Sequence, residues 1–227
     1  MEMILSLYSY EDSREIDRET IARGFPEIQL MGQAALASLH ALLPEIRAAN
    51  GRIVIFAGSR NNRGGRLAFD YMASDFDERI EVYHSVSKTP ASQFYETMAR
   101  SVGIQFRNPS EFDPANYGEE DIFLEALLGT GQTQTPRGEA AEILEKIIQN
   151  RKPRLVSLDV PAGLCEDTQS RFSEKNPEHY PLPDEIHCYG IAKLPLYMNS
   201  DLVLSRIKIL PMGFFPFRPS NDRLYTG

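Results

Sequence analysis

The spacing of apolar residues changes character near residue 52. Before it, Ala34, Ala35, Leu36, Leu39, Leu42, Leu43 and Ile46 recur at helical intervals, which predicts a helix over residues 30–49 with one apolar stripe. A polar amphipathic helix is expected ahead of it, over residues 11–22, with Gly24, Phe25 and Pro26 breaking the two apart. After residue 52 the helical period gives way to short unbroken apolar runs. Ile53, Val54, Ile55 and Phe56 form the first, and residues 80–83, 122–128 and 155–158 form the others. A run with no polar alternate marks a strand covered on both faces. Shorter strands are expected at 104–106, 185–189 and 202–209.

Segments of helical composition, at 67–73, 91–102 and 139–150, lie between these runs. Alternating strand and helix is the sequence form of a doubly wound α/β domain, with helices on both faces of a mostly parallel sheet. Residues 1–227 can bury a full core as one such domain, since α/β domains of roughly 200–250 residues are routine. The stretch 167–184, with Pro177, Pro181 and Pro183 among charged residues, reads as a long surface loop. Residues 214–227, with Pro216 and Pro219, read as either a linker or an irregular tail.

Charge and composition narrow the function classes. A net charge of −8 argues against a nucleic-acid partner, because neutralising phosphates needs a basic face. No apolar run approaches the roughly 20 residues of a membrane span. The start of the chain lacks the basic region and small-residue cleavage site of a secretory signal, so a cytoplasmic location is expected. Cys165 and Cys188 lack the spacing of a zinc or redox pair and read as reduced thiols. The four histidines, His40, His84, His179 and His187, are scattered without a metal-binding spacing.

In an open parallel sheet the ligand lies beyond the carboxyl ends of the strands. Four loops occupy that edge. The first, residues 58–66, combines glycines with Asn61, Asn62 and the arginines Arg60, Arg63 and Arg66, which are suited either to an anion or to solvent. The second follows residues 122–128 as Gly129, Thr130, Gly131 and Gln132, a small-residue turn. In the third, Asp159 stands at the end of a buried run, either as a turn former or as an active-site acid. The fourth sets Lys193 among apolar residues, to snorkel to water or to pair with an acid in the cleft.

Five motifs in order carry a family resemblance. Pro26 is followed by Leu30, Met31, Gly32, Gln33, Ala34 and Ala35; residues 58–66 align with a G-x-G-N-N-G-G-D-G loop; residues 125–131 align with D-A-[LI]-F-G-T-G; residues 159–163 align with D-[IV]-P-S-G; residues 189–193 align with [FY]-G-x-x-K. Together they resemble the N-terminal domain of the YjeF family, the NAD(P)H-hydrate epimerases, from about residue 15 to about residue 212.

The resemblance implies a Rossmann-like three-layer α/β/α sandwich, with the helices of residues 1–50 packed on it. Its ligand would be a hydrated nicotinamide dinucleotide, NAD(P)HX, whose R and S epimers the domain would interconvert. By correspondence Asn61, Asn62, Arg63, Gly64 and Gly65, with Gly129, Thr130, Gly131, Gln132, Thr133, Gln134 and Thr135, would contact the ligand. Asn62, Glu125 and Ala162 would stand at the positions of a potassium site. Asp159 and Lys193 would face the reacting ring, Asp159 as general acid/base and Lys193 setting its protonation and steadying the departing oxygen. An ADP- or ATP-dependent NAD(P)HX dehydratase, fused or separate, would be the partner activity.

The chain departs from the pattern inside the motifs. Gly65 stands where the family has Asp, Arg60, Arg63 and Arg66 replace glycines, Glu125 replaces Asp, and Ala162 replaces Ser. Glu125 is one methylene longer, which would move its carboxylate by about 1.5 Å from an ion position. An arginine near the phosphates would then supply the missing positive charge. Retained Asp159 and Lys193 favour an enzyme; the altered first loop favours a nucleotide-binding or dimerising scaffold of the same fold. Leu5, Leu7 and Tyr8 offer a homodimer contact.

Overall fold

The computed structural model describes residues 6–48, 50–58, 79–84, 89–149, 152–165, 180–199 and 202–212. Its first helix, α1 (Tyr10–Ala22), opens with a capping box. Ser9 Oγ accepts from the Asp12 N–H at 3.0 Å, and the Asp12 carboxylate accepts from the Ser9 N–H at 2.9 Å. Helix α2 (Glu27–Ala48) begins earlier than the apolar stripe predicts, and it buries Ala34, Ala35, Leu39, Leu42 and Ile46 of that stripe while leaving Leu36 exposed.

The apolar runs are strands β2 (Ile53–Ala57), β3 (Ile80–His84), β5 (Ile122–Ala126) and β6 (Arg154–Leu158). With β4 (Phe106–Arg107), β7 (Glu185–Tyr189) and β9 (Ile207–Leu210) they form a seven-stranded sheet of order β4-β3-β2-β5-β6-β7-β9, parallel throughout. The chain therefore winds outward from β2 in one direction and from β5 in the other. Helices α3 (Pro90–Ser101) and α4 (Glu139–Gln149) fall where helical composition predicts them.

Successive strand residues point to opposite faces, so the two sides of the sheet build separate cores. Ile53, Ile55, Val82, Leu124 and Val156 pack with α2 and with Tyr95 and Ala99 of α3. Val54, Phe56, Phe123 and Leu155 pack with Ile143, Leu144 and Ile147 of α4 and with Phe112 and Tyr117. The result is the Rossmann-like α/β/α arrangement, as expected.

The differences from expectation are at element ends. The run 122–128 is strand only to Ala126, because the Glu125 carboxylate takes the Leu127 N–H and ends the ladder there. The strand expected at 104–106 is displaced to the two residues of β4, Phe106 and Arg107, and in 202–209 only Ile207 onward is strand, after a turn and a 3-10 turn at Leu204–Arg206. Three further short elements have no counterpart in the sequence pattern. Residues Leu7–Tyr8 (β1) pair in parallel with Ala192–Lys193 (β8), and Leu194–Met198 forms a short helix, α5. The predicted helix 67–73, most of the 167–184 loop and the 214–227 tail lie outside the described residues. Among the described residues no helix is long and apolar enough to cross a membrane, and Cys165 and Cys188 are buried and not joined in a disulfide.

Candidate active site

The two directions of winding diverge between β2 and β5, which opens a crevice at their carboxyl ends. Gly58 leaves β2 there against the backbone of Leu127: a Cβ on Gly58 would stand 1.6 Å from the Leu127 carbonyl oxygen, so no larger residue fits. The rest of that first loop, with Arg60, Asn61, Asn62, Arg63, Gly64, Gly65 and Arg66, lies outside the described residues.

Two elements beyond the crevice, the expected acid and lysine meet. Asp159 follows β6 with φ 75°, a left-handed conformation unusual for a residue other than glycine, and its N–H donates to the His187 carbonyl at 2.8 Å. That turn aims its carboxylate at Lys193. Gly190, φ 73°, turns the chain out of β7 so that β8 presents Lys193 to the same spot. Lys193 Nζ lies 2.8 Å from Asp159 Oδ1 and donates to the Tyr189 carbonyl at 3.0 Å. The lysine side chain is 2% exposed and that of Asp159 is 12% exposed, so the acid is the less enclosed of the two. Burial works against the Lys193 charge, but Asp159 beside it more than offsets this and holds the ammonium above its ordinary range. The same burial pushes the neighbouring Cys188 thiol up, so it stays protonated.

Glu125 and Ala162, two of the expected potassium positions, also come together, but through a hydrogen bond. Glu125 Oε2 accepts from the Ala162 N–H at 3.1 Å and from Ser157 Oγ at 2.9 Å, while Oε1 accepts from the Leu127 N–H at 2.8 Å. Burial pushes this carboxyl above its ordinary range, against the pull of those donors. An ion shared between the two positions would meet the positive ends of N–H and O–H groups. This donor set does not fit a cation, and Asn62, the third position, lies outside the described residues.

The second expected ligand loop is tied to the third. Gln132 is buried, donating through Nε2 to the Pro161 carbonyl at 3.0 Å and accepting from the Gly163 N–H at 2.8 Å. Its side chain is thus committed to holding two turns together. Gly129 and Thr130 are half-buried, and Gly131, Thr133, Gln134 and Thr135 are exposed along the rim.

Helix α1, read from the sequence only as amphipathic, lies over this edge. Tyr10 Oη donates to the Leu164 carbonyl at 3.0 Å, and Arg14 Nη1 donates to the Thr130 carbonyl at 2.5 Å. Asp17, one turn further, interacts electrostatically with both Asp159 and Lys193. Burial first, and the Asp159 charge second, raise its carboxyl to about 6. The available signal was angular: at 100° per residue Asp17 falls between Tyr10 and Ser13, both buried.

A family model described as "YjeF-related protein N-terminus" matches residues 27–178. The chain belongs to this family. Among its YjeF-type relatives, the NAD(P)H-hydrate epimerase of Limosilactobacillus fermentum is 30% identical over 156 residues, covering 68% of this chain and 74% of that one. The bifunctional NAD(P)H-hydrate repair enzyme Nnr of Methanospirillum hungatei is 29% identical over 197 residues, which is 84% of this chain and 39% of that longer protein. In three dimensions the YjeF-type fold is matched by the crystal structure of yeast ynu0, with TM-score 0.74 at 18% identity over 97% of this chain and 98% of the other.

Proposed function

We propose that this YjeF-family chain is an epimerase of hydrated nicotinamide dinucleotides, inverting the hydroxylated ring carbon. The observation that carries the reading is the Asp159–Lys193 ion pair of 2.8 Å at the carboxyl edge of the sheet, with the lysine sealed behind the less enclosed acid. The names of the relatives supply the substrate class.

Inversion at a carbinolamine carbon needs the C–O bond to break and reform on the other face. The ring nitrogen lone pair forms a C=N bond as the oxygen leaves, and the oxygen must take a proton to leave as water. A water then adds from the opposite face and gives up a proton. Asp159, paired with the Lys193 ammonium, accepts that proton. Lys193 does not swing free, since its donors are directed to Asp159 and the Tyr189 carbonyl; its charge steadies the oxygen from beneath the acid. No step runs through a metal ion. The epimer formed, still hydrated, would be drawn on by a dehydratase, on the same chain or another.

Chiral separation of NADHX after incubation with the protein tests the reading. The expected result is rapid equilibration of the epimers by the wild type and a loss of about 10²–10⁴-fold in Asp159→Asn. Equal rates in the two would end the assignment. Thermal stabilisation by NADP with no epimerisation would instead favour the scaffold reading, in which the fold binds a nucleotide without turnover.

A further inference from the structure

The acids of α1 divide into two groups. Glu11, Glu15 and Glu19 face outward and pair with Arg14, Arg18 and Arg23, and Asp12 is used in the capping box. Asp17 lies on the opposite arc, between the buried positions Tyr10 and Ser13, and is half-buried. Among the described residues it has neither a hydrogen bond nor an ion pair. The helix starts two residues after Tyr8, which pairs with Lys193, and is fixed over the strand ends by the bonds from Tyr10 to Leu164 and from Arg14 to Thr130, so this inward carboxyl faces the edge that carries the Asp159–Lys193 pair.

We propose that Asp17 is the third member of the Asp159–Lys193 site and holds its exchangeable proton. The need for such a group follows from the pair itself. Asp159 is engaged in the ion pair and Lys193 is fixed by its acceptors, so the pair offers a base but no readily released proton. Two carboxyls whose surroundings separate their proton affinities divide acid and base duties between them. Asp17 is faced by Asp159 from the turn after β6, Lys193 from β8 and Glu27 from α2, with Arg14 one turn back on its own helix. Burial and the Asp159 charge favour its protonated form, and Lys193 opposes them.

What the proton is used for rests on the epimerase reading. The C–O bond breaks, its electron pair stays on oxygen, and the Asp17 proton completes a water molecule. The water that adds on the other face loses its surplus proton to Asp159, and exchange between the two carboxyls, or with solvent, restores the starting state. Inversion requires proton handling on both faces of one ring, and here the two carboxyls approach from different elements, a helix and a strand end.

The test joins a titration with kinetics on the purified full chain. Carbon-13 NMR of the Asp17 carboxyl should give a midpoint near pH 6 in the wild type, moving down in Asp159→Asn as the neighbouring anion is lost. A midpoint that ignores Asp159→Asn overturns the proposal whatever the activity. In kinetics, Asp17→Asn should lower kcat at pH 6 by about tenfold or more with KM little changed, and Asp17→Glu should recover part of it. Wild-type kcat should fall as pH rises above about 6, and Asp17→Asn should lose that limb. An Asp17→Asn protein as fast as wild type from pH 5 to 8 overturns the proposal and leaves the epimerase reading standing. A coupled titration in a wild type that never epimerises supports the three-group site and sinks the epimerase reading instead. Folding is checked by unfolding in urea. A raised carboxyl weakens the fold as pH climbs from its unfolded value towards 6, so Asp17→Asn should gain stability relative to wild type over that window, where a purely structural residue would lose it.

Discussion

Glu125 illustrates how much one methylene changes. The sequence identifies an acid at a strand end in the place of a family aspartate, and that much is legible because position in a motif is linear. Its orientation is not legible, since it depends on the Leu127 and Ala162 N–H groups turning inward at the ends of two neighbouring strands. With those donors and Ser157 satisfied by one carboxyl, Glu125→Ala should strand three buried polar groups and destabilise the protein by about 3 kcal/mol, measured by urea unfolding. The wild type should unfold at the same urea concentration, and bind NADP equally, in potassium and in sodium buffers. A marked potassium requirement would show that the carboxyl rearranges to admit an ion. Asp159 and Lys193 were readable as candidates for a similar reason, but their meeting depends on the left-handed turn at Asp159, which no residue type announces.

At the scale of elements, legibility follows length. Five-residue strands buried on both faces declare themselves by unbroken apolar runs, as β2 and β5 do. Two-residue strands have no period to read, so β1 and β8 were invisible, and α5 was hidden within what looked like a loop. The consequence for function is that α1 could be recognised as a helix but not as the cover of the site. Its hold there depends on its first turn. Ser9→Ala removes the capping box and should cost about 1 kcal/mol. Because the loosened end carries Tyr10 and Arg14, hydrogen exchange should quicken at α1 before the sheet is affected. Exchange rising evenly through the domain would contradict that ordering.

For the whole molecule, alternating strand and helix made the fold class legible, while the strand order was not, because parallel neighbours leave no mark on local sequence. The order matters at the opposite, amino-terminal edge of the sheet too. There Glu185 receives Arg154, Lys208 and the buried His187, whose Nδ1 continues to Ser38 Oγ at 2.9 Å. Burial alone would raise the Glu185 carboxyl, but the hydrogen bonds from His187 and Lys208 prevail and bring it to about 2. A carboxyl depressed by folding stabilises above its unfolded value and loses that contribution as pH falls towards the folded one. Stability should therefore drop between about pH 4.5 and pH 2, and Glu185→Gln, though less stable at neutral pH, should show a shallower drop in urea titrations.

The pairing of β1 with β8 has a consequence for synthesis. Tyr8 stands opposite Lys193, so the β1 segment must wait, unpartnered, until the chain has been made as far as β8. Contacts this distant in sequence form late. A nascent or prematurely ended polypeptide can wind most of its sheet and still lack a lysine to meet its acid, so half-made copies carry the architecture without the reactivity.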